Sequence, residues 1–151
     1  MARIDKTNYY LDIAETVGKR GTCLRRNYGA IIVKNDEIIS TGYTGSVRGQ
    51  INCCEKGTCK RQELNIPSGE RYELCMSVHA EQNAIISASR RDMIGSTLYL
   101  VGVDTVTAEY VKDTKPCMMC EKFIINAGIE QVVVRITQTE WKYLNHMEGL
   151  K

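Results

Sequence analysis

Residues 79–91 read HAEQNAIISASRR, and residues 98–101 follow as LYLV. Ala, Ile, Glu and Gln are good helix formers and lay an apolar stripe along the first stretch, so His79 to Arg91 is expected to be a helix. The second stretch is a short apolar run, the mark of a buried strand. The same order recurs downstream. Pro116 sits at a favoured first helical position and Gly128 at a cap, so Cys117 to Ala127 is expected to be helical, and the β-branched Val132-Val133-Val134 is the next strand. Upstream, Tyr10, Ile13, Ala14 and Val17 recur at helical spacing before Gly18 and Gly21, which sets a helix over about residues 5–19. Ala30 to Val33, the polar Asn35-Asp36 and Ile38-Ile39 read as a β-hairpin. The tail at Trp141 to Leu144 could add a final short helix. Helices alternating with strands make this an α/β fold.

The chain has 151 residues, of which 43% are hydrophobic and 25% charged, a balance too apolar for disorder and sized for one domain over residues 1–151. A net charge of +2 is far from the basic surplus of a nucleic-acid binder, so a small-molecule substrate is expected, with no nucleic acid and no membrane as partner. The N-terminal MARIDKTNYYLDIAETV carries acidic residues among its apolar positions, which fits neither a signal peptide nor a membrane span; a cytoplasmic protein is expected.

Seven cysteines then need a reason. Thiols stay reduced in the cytosol, where clustered cysteines more often ligate metal than form disulfides. Cys117 and Cys120 lie three apart at one helix start, and His79 opens another helix, so three zinc ligands can converge. Three protein ligands leave a fourth tetrahedral position for water, as in a catalytic zinc site, and Glu81 lies two residues beyond the histidine. Helix dipoles and the metal together favour an activated water near neutral pH. An HxE followed by PCxxC, with the glutamate moving protons rather than ligating, is the pattern of zinc deaminases acting on nucleobases. The plainer alternative is a helix cap at His79 and Glu81 with two buried thiols. The long segment at about residues 45–78 has no sustained apolar period yet holds Cys53, Cys54, Cys59 and Cys75. A loop of that length needs a staple or a function.

The chain resembles the deoxycytidylate (dCMP) deaminase family of the cytidine-deaminase-like fold. The likeness runs from about Tyr10 to Ile136 and includes Thr22-Cys23-Leu24-Arg25-Arg26, Tyr28-Gly29-Ala30, Gly42-Tyr43-Thr44-Gly45, the run from His79 to Ile85, PCMMC at 116–120 and Ile125-Asn126-Ala127-Gly128-Ile129. The resemblance implies a three-layer α-β-α architecture around a mixed central sheet, and hydrolysis of dCMP to dUMP and ammonia, which supplies dUMP for thymidylate synthesis. It further implies Zn2+ held by His79, Cys117 and Cys120, proton transfer by Glu81, and the Ala80 amide on the base carbonyl. A homo-oligomer, dimer or hexamer, is implied as well. Where the family usually has Asn, this chain has Thr44, at a position expected to touch the sugar. Some relatives carry a second, structural zinc, and Cys23, Cys53, Cys59 and Cys75 match its ligands best, with Cys54 able to replace Cys53. The guanidinium fork of Arg26 suits the phosphate, although two adjacent arginines are more plainly a solvated face. Other substrates remain open at this point, namely cytidine or deoxycytidine, guanine or transfer-RNA adenosine, as does a non-catalytic zinc-stabilised binding module.

Overall fold

The computed structural model describes residues 2–144, so Met1 and residues 145–151 of the expected domain lie outside the described residues. The strand β1 (Arg26–Lys34) sets the layering. Side chains alternate across a strand, so Ala30 and Ile32 face one side of the sheet and Ile31 and Val33 the other, and all four are buried. A strand buried on both faces requires cover on both.

Among the described residues the sheet has five strands in the order β2-β1-β5-β6-β7, where β2 is Glu37–Tyr43, β5 Thr97–Asp104, β6 Gln131–Arg135 and β7 Trp141–Leu144. Only the β5–β6 pair is parallel, so the sheet is mixed. Helix α1 (Lys6–Gly18) covers one face, packing Tyr10, Leu11 and Ala14 on Ile31, Val101 and Val133. On the other face, α4 (Ala80–Ile86) and α6 (Met118–Ala127) pack Ala84 and Ile124 on Ile32, Leu98, Leu100 and Val132. Three layers result. Each fully buried Leu, Ile or Val contributes about 1.5–3 kcal/mol to holding them together.

Four local expectations are corrected. The helix expected over 79–91 stops at Ile86; Ser89 Oγ then accepts the Asp92 N–H at 3.3 Å and starts a separate turn, α5 (Arg90–Met93). Polar Ser87 and Ser89 favour caps over helix interiors, which breaks the run there. Helix α6 begins at Met118 with Cys117 as its cap, so Pro116 precedes the helix instead of opening it. Trp141–Leu144 is a strand and not a helix: Glu140 N–H donates to Thr137 Oγ1 at 3.0 Å, and the turn sends the chain back antiparallel to β6, with Arg135 opposite Trp141. Finally, the segment expected to be a loop contains short pieces. They are β3 (Gly45–Ser46) paired with β4 (Ser77–Val78), α2 (Cys53–Lys56), α3 (Lys60–Glu63) and a 3₁₀ turn at Tyr72–Leu74. Among the described residues no helix is long and apolar enough to cross a membrane.

Candidate metal centre and active site

The N-termini of α4 and α6 meet on one face of the sheet, and the first helix is clamped there by β2. Ser40 Oγ donates to the Ala84 carbonyl at 2.7 Å, and Asn83 Nδ2 donates to the Tyr43 carbonyl at 2.8 Å. Between them Gly42 brings the strand backbone against the helix backbone; a Cβ at Gly42 would strike the Ala80 carbonyl and the Ala84 nitrogen. His79 caps α4 with its backbone extended, its N–H donating to Gln82 Oε1 at 2.9 Å. Cys117 caps α6, its sulfur accepting the Cys120 N–H at 3.5 Å.

This places His79 Nδ1 at 3.5 Å from Cys117 Sγ and 3.3 Å from Cys120 Sγ. A tetrahedral zinc with ordinary Zn–N and Zn–S bonds needs nitrogen and sulfur ligands about 3.5 Å apart, so the donor set fits the ion. The charges agree. The Cys120 thiol beside it, and then His79, hold the Cys117 thiol below its ordinary range against the opposing effect of burial. Cys120 is pushed up in turn, first by Cys117, then by burial and the nearby Glu81. The hydrogen bond to Cys117 raises the His79 imidazole above its usual value. One sulfur thus already favours the thiolate that a zinc ligand must be.

Glu81, the second residue of α4, is 5% exposed and lines the same cavity as His79 and Cys117. Burial raises its carboxyl above the ordinary range. Ala80 is fully buried at the first helical position, where its N–H has no partner within its own helix. Arg26 stands exposed at the start of β1 and reaches the cavity, as does Arg25. Thr44 is buried against the cavity with its hydroxyl oxygen accepting the Tyr28 N–H at 3.1 Å, which leaves the hydroxyl proton free to donate. Lys115 and Arg61 join the two arginines, so that among the described residues the lining carries four Lys and Arg side chains and one carboxylate, Glu81. The stretch 102–115 folds back on β5 through Val111 N–H to the Gly102 carbonyl at 2.9 Å, and Thr105 N–H ties the Arg25 carbonyl at 3.0 Å. It therefore fixes Arg25 on the rim.

The cysteines proposed for a second ion are gathered less tightly. Among the described residues, His79, Cys117 and Cys120 are the only group of three or more His, Cys, Asp or Glu residues whose ligand atoms lie within 4.8 Å of one another. Cys54 N–H donates to the Thr22 carbonyl at 3.0 Å, which joins the Cys23 and Cys53 neighbourhoods. Burial pushes the Cys53 thiol up, with smaller contributions from Cys23 and Cys75. Arg25 N–H points at Cys23 Sγ at 3.4 Å and Ser77 N–H at Cys75 Sγ at 3.5 Å, the support a thiolate accepts. Among the described residues the buried Ser46 and Ser77 hydroxyls lack a partner at full hydrogen-bond geometry, yet both act on the Cys53 sulfur and lower its pKa against burial. These donors suit thiolate ligands, and Cys59 heads α3 nearby in sequence. Sequence reasoning missed Arg61, Ser68 and Tyr72 on the cavity wall, because no periodic pattern marks them; Lys115 is signalled only by preceding PCMMC.

Residues 4–136 match the family described as the cytidine and deoxycytidylate deaminase zinc-binding region. A deoxycytidylate deaminase of Mycobacterium phage D29 is 37% identical over 138 residues, covering 88% of this chain and 96% of that protein. A deoxycytidylate deaminase of Schizosaccharomyces pombe is 33% identical over 126 residues, covering 83% of this chain but only 35% of the relative's length. The crystal structure of dCMP deaminase from the cyanophage S-TIM5 in complex with dCMP and dUMP is 27% identical with a TM-score of 0.59, over 87% of this chain and 82% of that one. With its His79, Cys117 and Cys120 donor set at two apposed helix starts, this chain belongs to the cytidine and deoxycytidylate deaminase zinc-binding family.

Proposed function

We propose that this chain hydrolyses dCMP to dUMP and ammonia, supplying dUMP for thymidylate synthesis, with residues 1–151 acting as one domain. The observation that carries the reading is a His/Cys/Cys donor set and a buried glutamate in one cavity whose lining also includes Arg25, Arg26, Arg61 and Lys115. His79, Cys117 and Cys120 would hold a zinc ion, which when bound would supply a Lewis acid and a water activated near neutral pH. With the ion bound, Glu81 would take a proton from the attacking water as its oxygen bonds to C4, deliver that proton to ring N3, and pass the proton of the new C4 hydroxyl to the amine as the C4–N bond breaks. Its burial suits a carboxyl that must carry a proton, since a raised pKa lies nearer the working pH. The Ala80 N–H holds the base carbonyl, Thr44 meets the sugar, and Arg26 takes the phosphate. Relatives named deoxycytidylate deaminases support the choice of dCMP.

The reading includes a second, closed zinc on Cys23, Cys53, Cys59 and Cys75. A four-thiolate ion would contribute about 10 kcal/mol of folding free energy to a segment without a core of its own. Exposed Ile86, Met118 and Phe123 support assembly as a homo-oligomer, dimer or hexamer, and thiol ligands support a reducing, cytoplasmic setting. The test is ammonia release over dCMP, CMP, dCTP, deoxycytidine and guanine. dCMP should lead, and Arg26→Ala should raise KM for dCMP chiefly. Equal efficiency on deoxycytidine would instead favour a nucleoside deaminase.

A further inference from the structure

Arg61 is a buried cation that no step above uses. It lies in α3 at 6% exposure, where an unpaired charge would be costly. Its groups are oriented on three sides. Nε donates to the Glu70 carbonyl and Nη2 to the Pro67 carbonyl, each at 3.1 Å, and Cζ stands 4.7 Å over the centre of the Tyr72 ring. The Tyr72 ring in turn meets the His79 imidazole edge-on, with centroids 5.5 Å apart at 81°. Arg61, Ser68, Tyr72 and His79 all line one cavity. The two carbonyl bonds fix the bend at 67–70 that carries Ser68, and the stacked guanidinium holds Tyr72 in place against the histidine. His79 faces the two sulfurs through Nδ1, so the rest of its ring must be oriented by other neighbours, and such outer contacts tune a metal ligand.

We propose that Arg61 is a positioning residue: it holds Tyr72 against the His79 imidazole, and so sets the orientation of the metal-binding histidine and one wall of the cavity. The inference rests on the metal role of His79, Cys117 and Cys120. A lysine cannot replace the guanidinium, because a point ammonium lacks the fork for two carbonyls and the plane for stacking.

A double-mutant cycle on the full chain tests this, using Arg61→Lys, Tyr72→Leu, their combination and the conservative Tyr72→Phe. Each protein is loaded with cobalt(II) and its visible spectrum and cobalt affinity are recorded; kcat and KM on dCMP are measured separately on the zinc forms. Arg61→Lys and Tyr72→Leu should each alter the cobalt spectrum and cost about 10- to 100-fold in metal affinity or kcat/KM. The double variant should be no worse than the poorer single, and Tyr72→Phe should stay within about twofold of wild type. Unchanged spectra and kinetics in both singles, or losses that multiply in the double, would overturn the proposal. Should Arg61→Lys fail to fold, the tyrosine pair decides alone, and a Tyr72→Leu spectrum matching that of Tyr72→Phe overturns it. Wild-type protein that binds cobalt without turning over dCMP would sink the proposed reaction, while the part of the spectrum that Cys117→Ser removes would still report on His79.

Discussion

The two cysteine regions of this molecule are built by different means. His79, Cys117 and Cys120 sit at the starts of helices whose apolar faces are anchored on the sheet, and packing alone brings the nitrogen to 3.3 and 3.5 Å from the two sulfurs. Cys23, Cys53, Cys59 and Cys75 sit on or beside helices of four residues, a two-residue ribbon and bends, where only Cys53 is buried. Helices that short have little stability of their own. A ligand set carried by the core is organised before the metal arrives; one carried by a coreless segment depends on the metal to organise it.

The contrast can be broken by mutation. The largest expected effect is Cys117→Ser, which should abolish turnover and remove the ion at the first site while the 45–78 segment stays as protease-resistant as in wild type; loss of both ions would contradict it. Next, Cys75→Ser should release one zinc and lower the melting temperature by about 10 °C or more, with activity affected only indirectly. One zinc per chain in fully folded wild type, with Cys59 and Cys75 alkylating freely, would show that no second site exists. A smaller loss is expected for Gly42→Ala, whose methyl must push the strand from the Ala80 and Ala84 backbone. Overpacking of this kind costs about 1–3 kcal/mol, and it should weaken zinc at the first site without touching the second. The smallest effect lies outside both regions. The Asn8 N–H holds the Asp5 carboxyl below its ordinary 3.8, so the cap on α1 is intact above that pH and is lost as pH falls through the lower folded value. Amide exchange at Asn8 should quicken in acid, and Asp5→Ala should remove that pH dependence.

What the sequence made legible follows from the same division. His79, Glu81, Cys117 and Cys120 could be named because few residue types do this chemistry and each ligand sits at or near a helix start that capping rules locate. Strands β1, β5 and β6 were legible as apolar runs, and the pairing of β1 with β2 as a hairpin, whereas the mixed sheet and the three layers came from family resemblance. The tail was misread because four residues cannot fix a period; the turn at Thr137 to Glu140 decides it. The break after Ile86 hinged on two serines inside an otherwise helical run. The contact of Arg61 with Tyr72 was invisible, since it depends on a bend at 67–70 that no local pattern announces.

The central claim is that zinc binding and proton transfer are divided between the His79, Cys117 and Cys120 set and Glu81. The direct measurement is ammonia and dUMP released from dCMP by zinc-loaded wild type and Glu81→Gln, with zinc counted in the same samples. Wild type should release the two products in equal amounts, and Glu81→Gln should keep its zinc and fold while losing at least about 10²- to 10⁴-fold in kcat. Zinc-replete wild type that releases no ammonia, or a Glu81→Gln variant that turns over like wild type, would contradict the account.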